Sequence, residues 1–122
     1  MRVFHTKMLD VSLEGTAPSY NDASFNPQLG SCDKLTFFLV TDTVSASTNL
    51  NFALEESPDN VYWLAKAPDP AATIALSTTA ATLYVYRDSG VNPNAGFARF
   101  RCALTGAQKA HVRVWVTGRS DG

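Results

Sequence analysis

The sequence has few charged residues and no long hydrophobic run. Charged residues make up 17% of its 122 residues, against about 25% in an average globular domain. The formal net charge is −1, which excludes a strong overall attraction to nucleic acid or to an anionic membrane. The sequence shows neither a transmembrane helix nor the apolar run of a secretory signal. We therefore expect a protein that is made in a cytosol and has neither nucleic acid nor membrane as a direct partner.

Cysteine is equally scarce, and the two residues present, Cys32 and Cys102, are too few for a disulfide framework. Cys102 lies in an alternating segment, on the same side as Phe100 and Leu104. We therefore expect it to be a small buried hydrophobe rather than a reactive thiol. Cys32 lies in a polar stretch. Sequence spacing does not decide whether the two cysteines pair.

The residues that usually carry chemistry are also few. The two histidines, His5 and His111, have no zinc-ligand spacing. The densest acidic group, Glu55, Glu56 and Asp59, is typical of a solvated turn rather than a calcium site. There is no phosphate-binding glycine loop and no nucleophile elbow. Carboxylates from distant loops could still meet, but we expect no enzyme, no metal and no cofactor.

Alternation of apolar and polar residues dominates the chain. It occurs in short segments separated by turn-forming residues such as Ser57-Pro58-Asp59-Asn60. This pattern places one side of each segment in a core and predicts strands. We therefore predict an all-β fold: a single antiparallel β-sandwich, jelly-roll-like, in one domain over residues 1–122 with an extended N-terminal region. The alternating segments are 35–40, 50–55, 61–63, 74–76, 83–86, 98–104 and 112–117.

Residues 14–33 break the pattern, because they have no sustained period although they carry Tyr20, Phe25 and Leu29. A structureless stretch of this length is uncommon in a compact domain. It is either a long loop that caps the open end of its own sandwich or an irregular arm that packs on a neighbouring subunit. In the second interpretation, Tyr20, Phe25 and Leu29 are partner-binding residues.

Basic residues are concentrated near the end of the sequence. From Arg99 onward there are five basic residues and one acidic residue. If 99–104 and 109–117 pair as a hairpin, one face displays most of these side chains. That face is either an ordinary polar surface or a basic surface for an acidic partner. Its members are Arg99, Arg101, Lys109, His111, Arg113 and Trp115.

Two tyrosines, Tyr84 and Tyr86, are separated by one residue and are predicted to share an outward face. They are a possible aromatic platform for a sugar. An aromatic pair of this kind equally stabilises a sheet or an interface.

Residues 50–63 resemble a hairpin that recurs in small virion proteins of tailed bacteriophages. In that family an alternating strand ends in a Ser-Pro-Asp-Gly-like turn and a Trp-containing strand follows. Asn60 stands here where the family often has Gly, and Asn tolerates the left-handed backbone of such a turn. The segment from Phe97 to Arg119 is similar to the closing hairpin of these proteins, so the resemblance covers residues 34–119.

The resemblance implies a β-sandwich of a phage particle that acts as a head-decoration, cement or other minor structural protein, with no catalytic residues. We therefore expect a virion protein that bridges neighbouring subunits of a capsid shell. Its partners would be the major capsid protein or another virion protein, together with further copies of itself, for example in a trimer. The alternative is a carbohydrate-binding β-sandwich module, either free or on a virion surface.

Overall fold

In the residues that the structure describes, nine strands form two antiparallel sheets. The computed structural model describes residues 2–32, 34–65, 72–78, 80–88 and 96–120. The strands are β1 (Arg2–Glu14), β2 (Ser19–Tyr20), β3 (Lys34–Asp42), β4 (Thr48–Ser57), β5 (Leu64–Ala65), β6 (Ala72–Leu76), β7 (Thr82–Asp88), β8 (Phe97–Leu104) and β9 (Lys109–Ser120).

The strand order shows how the chain crosses between the two sheets. The first sheet has the order β1-β9-β3-β7, and the second has the order β2-β8-β4-β5 with β6 also paired to β4. Successive strands mostly alternate between sheets, as in a jelly roll. All pairings are antiparallel. The predicted all-β, antiparallel β-sandwich is therefore confirmed.

The first strand contains a bulge, and because of this bulge the sequence pattern did not reveal the strand. β1 pairs with β9 along its whole length, and the register shifts between Lys7 and Leu9. Phe4 and Met8 contact the core before the shift, whereas Leu9, Val11 and Leu13 do so after it. A bulge adds one residue to one strand and so changes which positions face inward. The extended N-terminal region is thus a regular edge strand whose alternation changes phase.

Three phenylalanines join the two sheets. Phe37 comes from the first sheet, Phe52 and Phe100 come from the second, and all three are at most 1% exposed. The ring centroids of Phe37 and Phe100 are 5.1 Å apart, and those of Phe52 and Phe100 are 5.7 Å apart. Aromatic pairs at these separations add about 0.5–1.5 kcal/mol each to the effect of burial. This cluster marks the centre of the core.

The segment after β1, for which the sequence left a long loop and an irregular arm as alternatives, is folded onto its own domain. After β2 it forms a 3₁₀ turn (Ala23–Phe25) and a short helix, α1 (Asn26–Gly30), with Pro27 in its first turn. Proline is well tolerated there because that N–H has no helical partner. Leu29 is fully buried, and Phe25 packs against the core. The segment therefore packs on its own sandwich.

Two close contacts hold this segment in place. The Asn21 side chain, which is buried, accepts a hydrogen bond from the Phe100 backbone N–H at 2.6 Å. A Cβ added to Gly30 would overlap the backbone of Gly96, so only glycine allows α1 to approach the start of β8 this closely. The segment is thus fitted to β8 by both a buried polar contact and backbone proximity.

Candidate interaction surfaces

The predicted basic face does not exist, because its two strands lie in different sheets. β8 pairs with β2 and β4 in the second sheet, whereas β9 pairs with β1 and β3 in the first. Residues 105–108 connect the sheets and do not close a hairpin. Arg99 and Arg101 therefore project outward from the second sheet, and Arg113 and Trp115 project outward from the first. The expected closing hairpin is wrong for the same reason.

Arg99 is neutralised within its own chain. Its Nε lies 2.7 Å from Glu55 Oε1, and its guanidinium carbon is 4.1 Å from the centre of the Tyr20 ring and 4.3 Å from that of Trp63. Trp63 is thus half-buried on the outer surface. Tyr20 and Arg99, both predicted to bind a partner, are brought together, and their contacts stabilise β2 and the start of β5. Arg101 is half-buried beside Tyr20 on the same face.

On the first sheet, Arg113 belongs to a charged row across three strands. Its Nη1 donates to Asp42 Oδ2 at 3.0 Å, and its Nε lies 3.9 Å from Asp10 Oδ2. Asp10 also accepts from Lys7 at 3.0 Å and contacts His111 Nε2. The side-chain hydrogen bond from Lys7 is the main cause that lowers the pKa of Asp10, and the hydrogen bond from Arg113 lowers that of Asp42. These cations are largely compensated and do not form a free basic patch.

A shallow depression of about 360 Å³ lies beside this charged row. Within it Ser12 Oγ is 3.1 Å from His111 Nδ1, and the other ring nitrogen contacts Asp10. The contact follows from strand pairing, since Ser12 lies directly opposite His111.

In the described residues no group of three or more potential metal-ligating side chains occurs. Sequence reasoning missed this row because β1 was not identified. That the chain is not an enzyme stays a prediction.

Tyr84 and Tyr86 point inward, so the predicted outward platform is wrong. The ring of Phe52 lies 5.6 Å from that of Tyr84 and 5.4 Å from that of Tyr86, and Phe37 stacks on Tyr86 at 5.9 Å. Tyr86 thus extends the core at the edge of the first sheet, whereas Tyr84 lies on the same inner side but remains 38% exposed. The outward positions of β7 are Leu83 and Val85, and Leu83 is 68% exposed.

An apolar band crosses the outer face of the first sheet. Phe38 of β3 lies opposite Trp115 of β9 on one side and Val85 of β7 on the other. Val40 lies opposite Leu83 in the neighbouring row. Alternating positions of a strand share one face, so these five side chains form one surface, which we call the apolar band. Of the predicted partner-binding residues, Trp115 is the one that the structure places here.

A second apolar surface, which sequence reasoning did not identify and whose side chains are exposed, lies at the β4–β5 hairpin. Val61, Tyr62 and Leu64 are 68%, 73% and 65% exposed. We call these three residues the apolar tip. Strand β5 returns beside β4, with Glu56 opposite Leu64. A hairpin therefore forms here, but the predicted strand over 61–63 is wrong, because these residues lie between the turn and β5. Three large exposed apolar side chains within four residues indicate an interaction surface.

The hydrogen bonds of the turn hold the apolar tip rigidly. The buried Ser57 hydroxyl accepts from the backbone N–H groups of Asp59 and Asn60, and Asp59 Oδ1 accepts from those of Val61 and Tyr62, all within 3.2 Å. Asn60 has a φ of 65°, the left-handed conformation that Asn tolerates. Its Oδ1 accepts from Asn26 Nδ2 at 3.1 Å, which ties the turn to α1. The tip is therefore ordered before any partner arrives.

These backbone hydrogen bonds make the stability of the turn dependent on pH. The N–H groups of Tyr62 and Val61 lower the pKa of Asp59 below its ordinary value of 3.8. A carboxylate with a lowered pKa stabilises the folded state above its ordinary pKa, and the effect is lost as the pH falls through the folded-state pKa. We expect Asp59→Asn to be less stable than the wild type at neutral pH, with a gap that closes below about 3.8. Urea unfolding across this range measures the gap, and a gap independent of pH would contradict the assignment.

Both cysteines are buried, and neither is in a disulfide. Cys102 is fully buried, and this burial raises the pKa of its thiol to about 12. A thiol with so high a pKa is almost entirely protonated at neutral pH and is a poor nucleophile. The prediction that Cys102 acts as a small hydrophobe is therefore confirmed. Cys32, expected in a polar loop, is 6% exposed and belongs to the core.

Comparisons with known proteins bear on the fold. No protein-family model matches the sequence, and no curated protein matches it. The chain is similar in structure to the PBSX exported protein XepA, with a TM-score of 0.56 and 13% sequence identity. The match covers 98% of this chain and 38% of the XepA chain. The architecture thus recurs as one part of a longer protein. In the described part of our chain, no helix is long and apolar enough to cross a membrane.

Proposed function

We propose that the chain is a structural protein of a phage particle, which decorates or cements the capsid shell by bridging neighbouring subunits. The observation that carries this proposal is the presence of two separate apolar surfaces on one small sandwich. The apolar tip is exposed, and in the apolar band Leu83 is exposed while the other four side chains are half-buried. Apolar patches of this kind mark interaction sites. Because they belong to different sheets, one copy can contact two neighbours at once.

Two further findings support a phage-related role. The fold is similar to that of XepA, an exported protein of the phage PBSX. In the segment on which the resemblance to small virion proteins rests, β4 and the turn form as expected, whereas the returning strand is only Leu64–Ala65 and does not include Trp63. Repeated on a symmetric shell, even a small contact per copy is multiplied. If the chain binds the assembled shell but not the separated subunits, this binding stabilises the shell by mass action.

The experiment adds the purified chain to phage shells assembled without it and measures co-sedimentation and the temperature at which the shells disrupt. We expect saturable binding and a higher disruption temperature. Replacing Tyr62 and Leu64 by serine should weaken binding about tenfold or more, since exposed aromatic anchors commonly dominate interfaces. Val3→Ser, at a 59% exposed position outside both surfaces, is the control. Absence of co-sedimentation at any concentration would contradict the proposal.

The carbohydrate-binding alternative relied on Tyr84 and Tyr86 as an outward platform. Since both rings pack against Phe52, no observation in the described residues favours it.

A further inference from the structure

Three asparagine side chains form a continuous chain of hydrogen bonds from β8 to the apolar tip. Asn21 Oδ1 accepts from the Phe100 backbone N–H at 2.6 Å, and Asn21 Nδ2 donates to Asn26 Oδ1 at 3.0 Å. Asn26 Nδ2 in turn donates to Asn60 Oδ1 at 3.1 Å. Asn21 and Asn26 are each 5% exposed. Since a buried amide that loses a partner costs free energy, each link fixes the orientation of the next.

A second contact links the same part of the chain to the tip. Arg99 contacts the rings of Tyr20 and Trp63, with its guanidinium carbon 4.1 Å and 4.3 Å from their centres. Tyr20 directly precedes Asn21, and Trp63 lies between two residues of the tip. The tip is thus linked to this part of the chain at Asn60, directly before it, and at Trp63, within it.

We infer that residues 20–26 are a clasp that positions the apolar tip, so that docking of the clasp on β8 and ordering of the tip occur together. The hydrogen bonds that Ser57 and Asp59 accept lie within the turn and fix its internal shape. The clasp fixes the orientation of the turn relative to β8. Regions that open together without global unfolding are usually contiguous units of this kind. Coupling between two sites is reciprocal, so a change at the tip also acts on the contact with β8.

The consequence of the clasp for binding rests on the proposed function. A surface that is ordered in advance loses less conformational entropy when it binds. Opening of the clasp should therefore weaken the binding of the tip to a shell. The clasp itself depends on contacts within one chain and requires no shell.

The clasp also explains the use of asparagine at position 60. Its φ of 65° is a conformation that glycine adopts readily, but glycine offers no acceptor to Asn26. Aspartate keeps an oxygen at this position and, like asparagine, is among the residues that tolerate a positive φ. Asn60→Gly and Asn60→Asp therefore separate the backbone requirement of the turn from the hydrogen bond of the clasp.

Hydrogen exchange of backbone amides, measured by NMR on the isolated chain, tests this coupling. We expect the Phe100 amide, remote from Asn60 in the sequence, to exchange about tenfold faster in Asn60→Gly than in the wild type, because a buried hydrogen bond is lost. Asn60→Asp is the matched control and should exchange like the wild type. The Val114 amide, in the core strand β9, reports global unfolding and should change much less than that of Phe100.

A break in the middle of the chain of asparagines provides the second measurement. Asn26→Ala alters neither the tip nor β8, and it should accelerate exchange of the Tyr62 and Phe100 amides together. Gln28→Ala, at an exposed position of the same helix, is its control and should accelerate neither. If Asn26→Ala does not fold, the two Asn60 variants decide alone.

Three results would overturn the inference. They are equal Phe100 exchange in Asn60→Gly and Asn60→Asp, acceleration of the Val114 amide by the same factor as that of Phe100, and acceleration at only one of the two ends in a folded Asn26→Ala. Since the experiment contains no shell, such a result would leave the proposed function standing. Failure of the chain to bind shells would in turn leave the clasp standing.

Discussion

Phe52→Ala is expected to lower the free energy of unfolding by about 3–5 kcal/mol. Phe52 is 1% exposed and contacts the ring of Phe100 within its own sheet and the rings of Tyr84 and Tyr86 in the other sheet. Its removal leaves a cavity at the centre of the sandwich and deletes three aromatic contacts. For a domain of this size the melting temperature should fall by about 10–20 °C. Thermal and urea unfolding both measure the change.

Leu83→Ala is the matched control for this experiment. It removes a comparable apolar side chain from a position that is 68% exposed, and such surface changes usually stay within about 0.5 kcal/mol. Equal losses for the two variants would show that Phe52 does not occupy the core and would contradict the packing of the two sheets.

Leu29→Asp should leave the chain largely unfolded. Leu29 is 0% exposed and belongs to the same core as Phe37, and an unpaired carboxylate in an apolar site is among the most destabilising of single changes. We expect a loss of about 4 kcal/mol or more, which is comparable to the whole stability of many small domains. Chemical unfolding followed by circular dichroism measures it.

Gln28→Asp is the control, because it places the same charge on the exposed residue next to Leu29 in α1. It should change the free energy of unfolding little. The pair distinguishes the two interpretations of residues 14–33. If that segment were an arm for a neighbouring subunit, both variants would fold equally well and Leu29→Asp would affect assembly alone. Such an outcome would show that α1 does not close the sandwich.

Much of this architecture follows from local patterns. The alternation in 35–40, 50–55 and 112–117 gives strands with the expected inner faces, because Leu, Phe and Val recur at every second position. The turn at Ser57–Asn60 is also predictable, since Ser and Asp side chains bind backbone N–H groups and Asn accepts a positive φ. These features depend only on residues close in sequence.

The failures arise where pairing or phase matters. Alternation indicates which side chains face inward but not which strand is the neighbour, so the short 105–108 connection was compatible with a hairpin and with a crossing between sheets. In β7 both faces of the strand carry apolar side chains, Leu83 and Val85 on one and Tyr84 and Tyr86 on the other. The pattern therefore did not predict which of the two faces is the inner one. In β1 the bulge reversed the phase.

Identification of the chain in purified native phage particles tests the proposed function most directly. Quantitative mass spectrometry should find it in a fixed copy number per particle, and cryo-electron microscopy should show its sandwich on the shell with residues 61–64 buried in a contact. Particles that contain no copies after purification, or density in which both the apolar tip and the apolar band face solvent, would contradict the account.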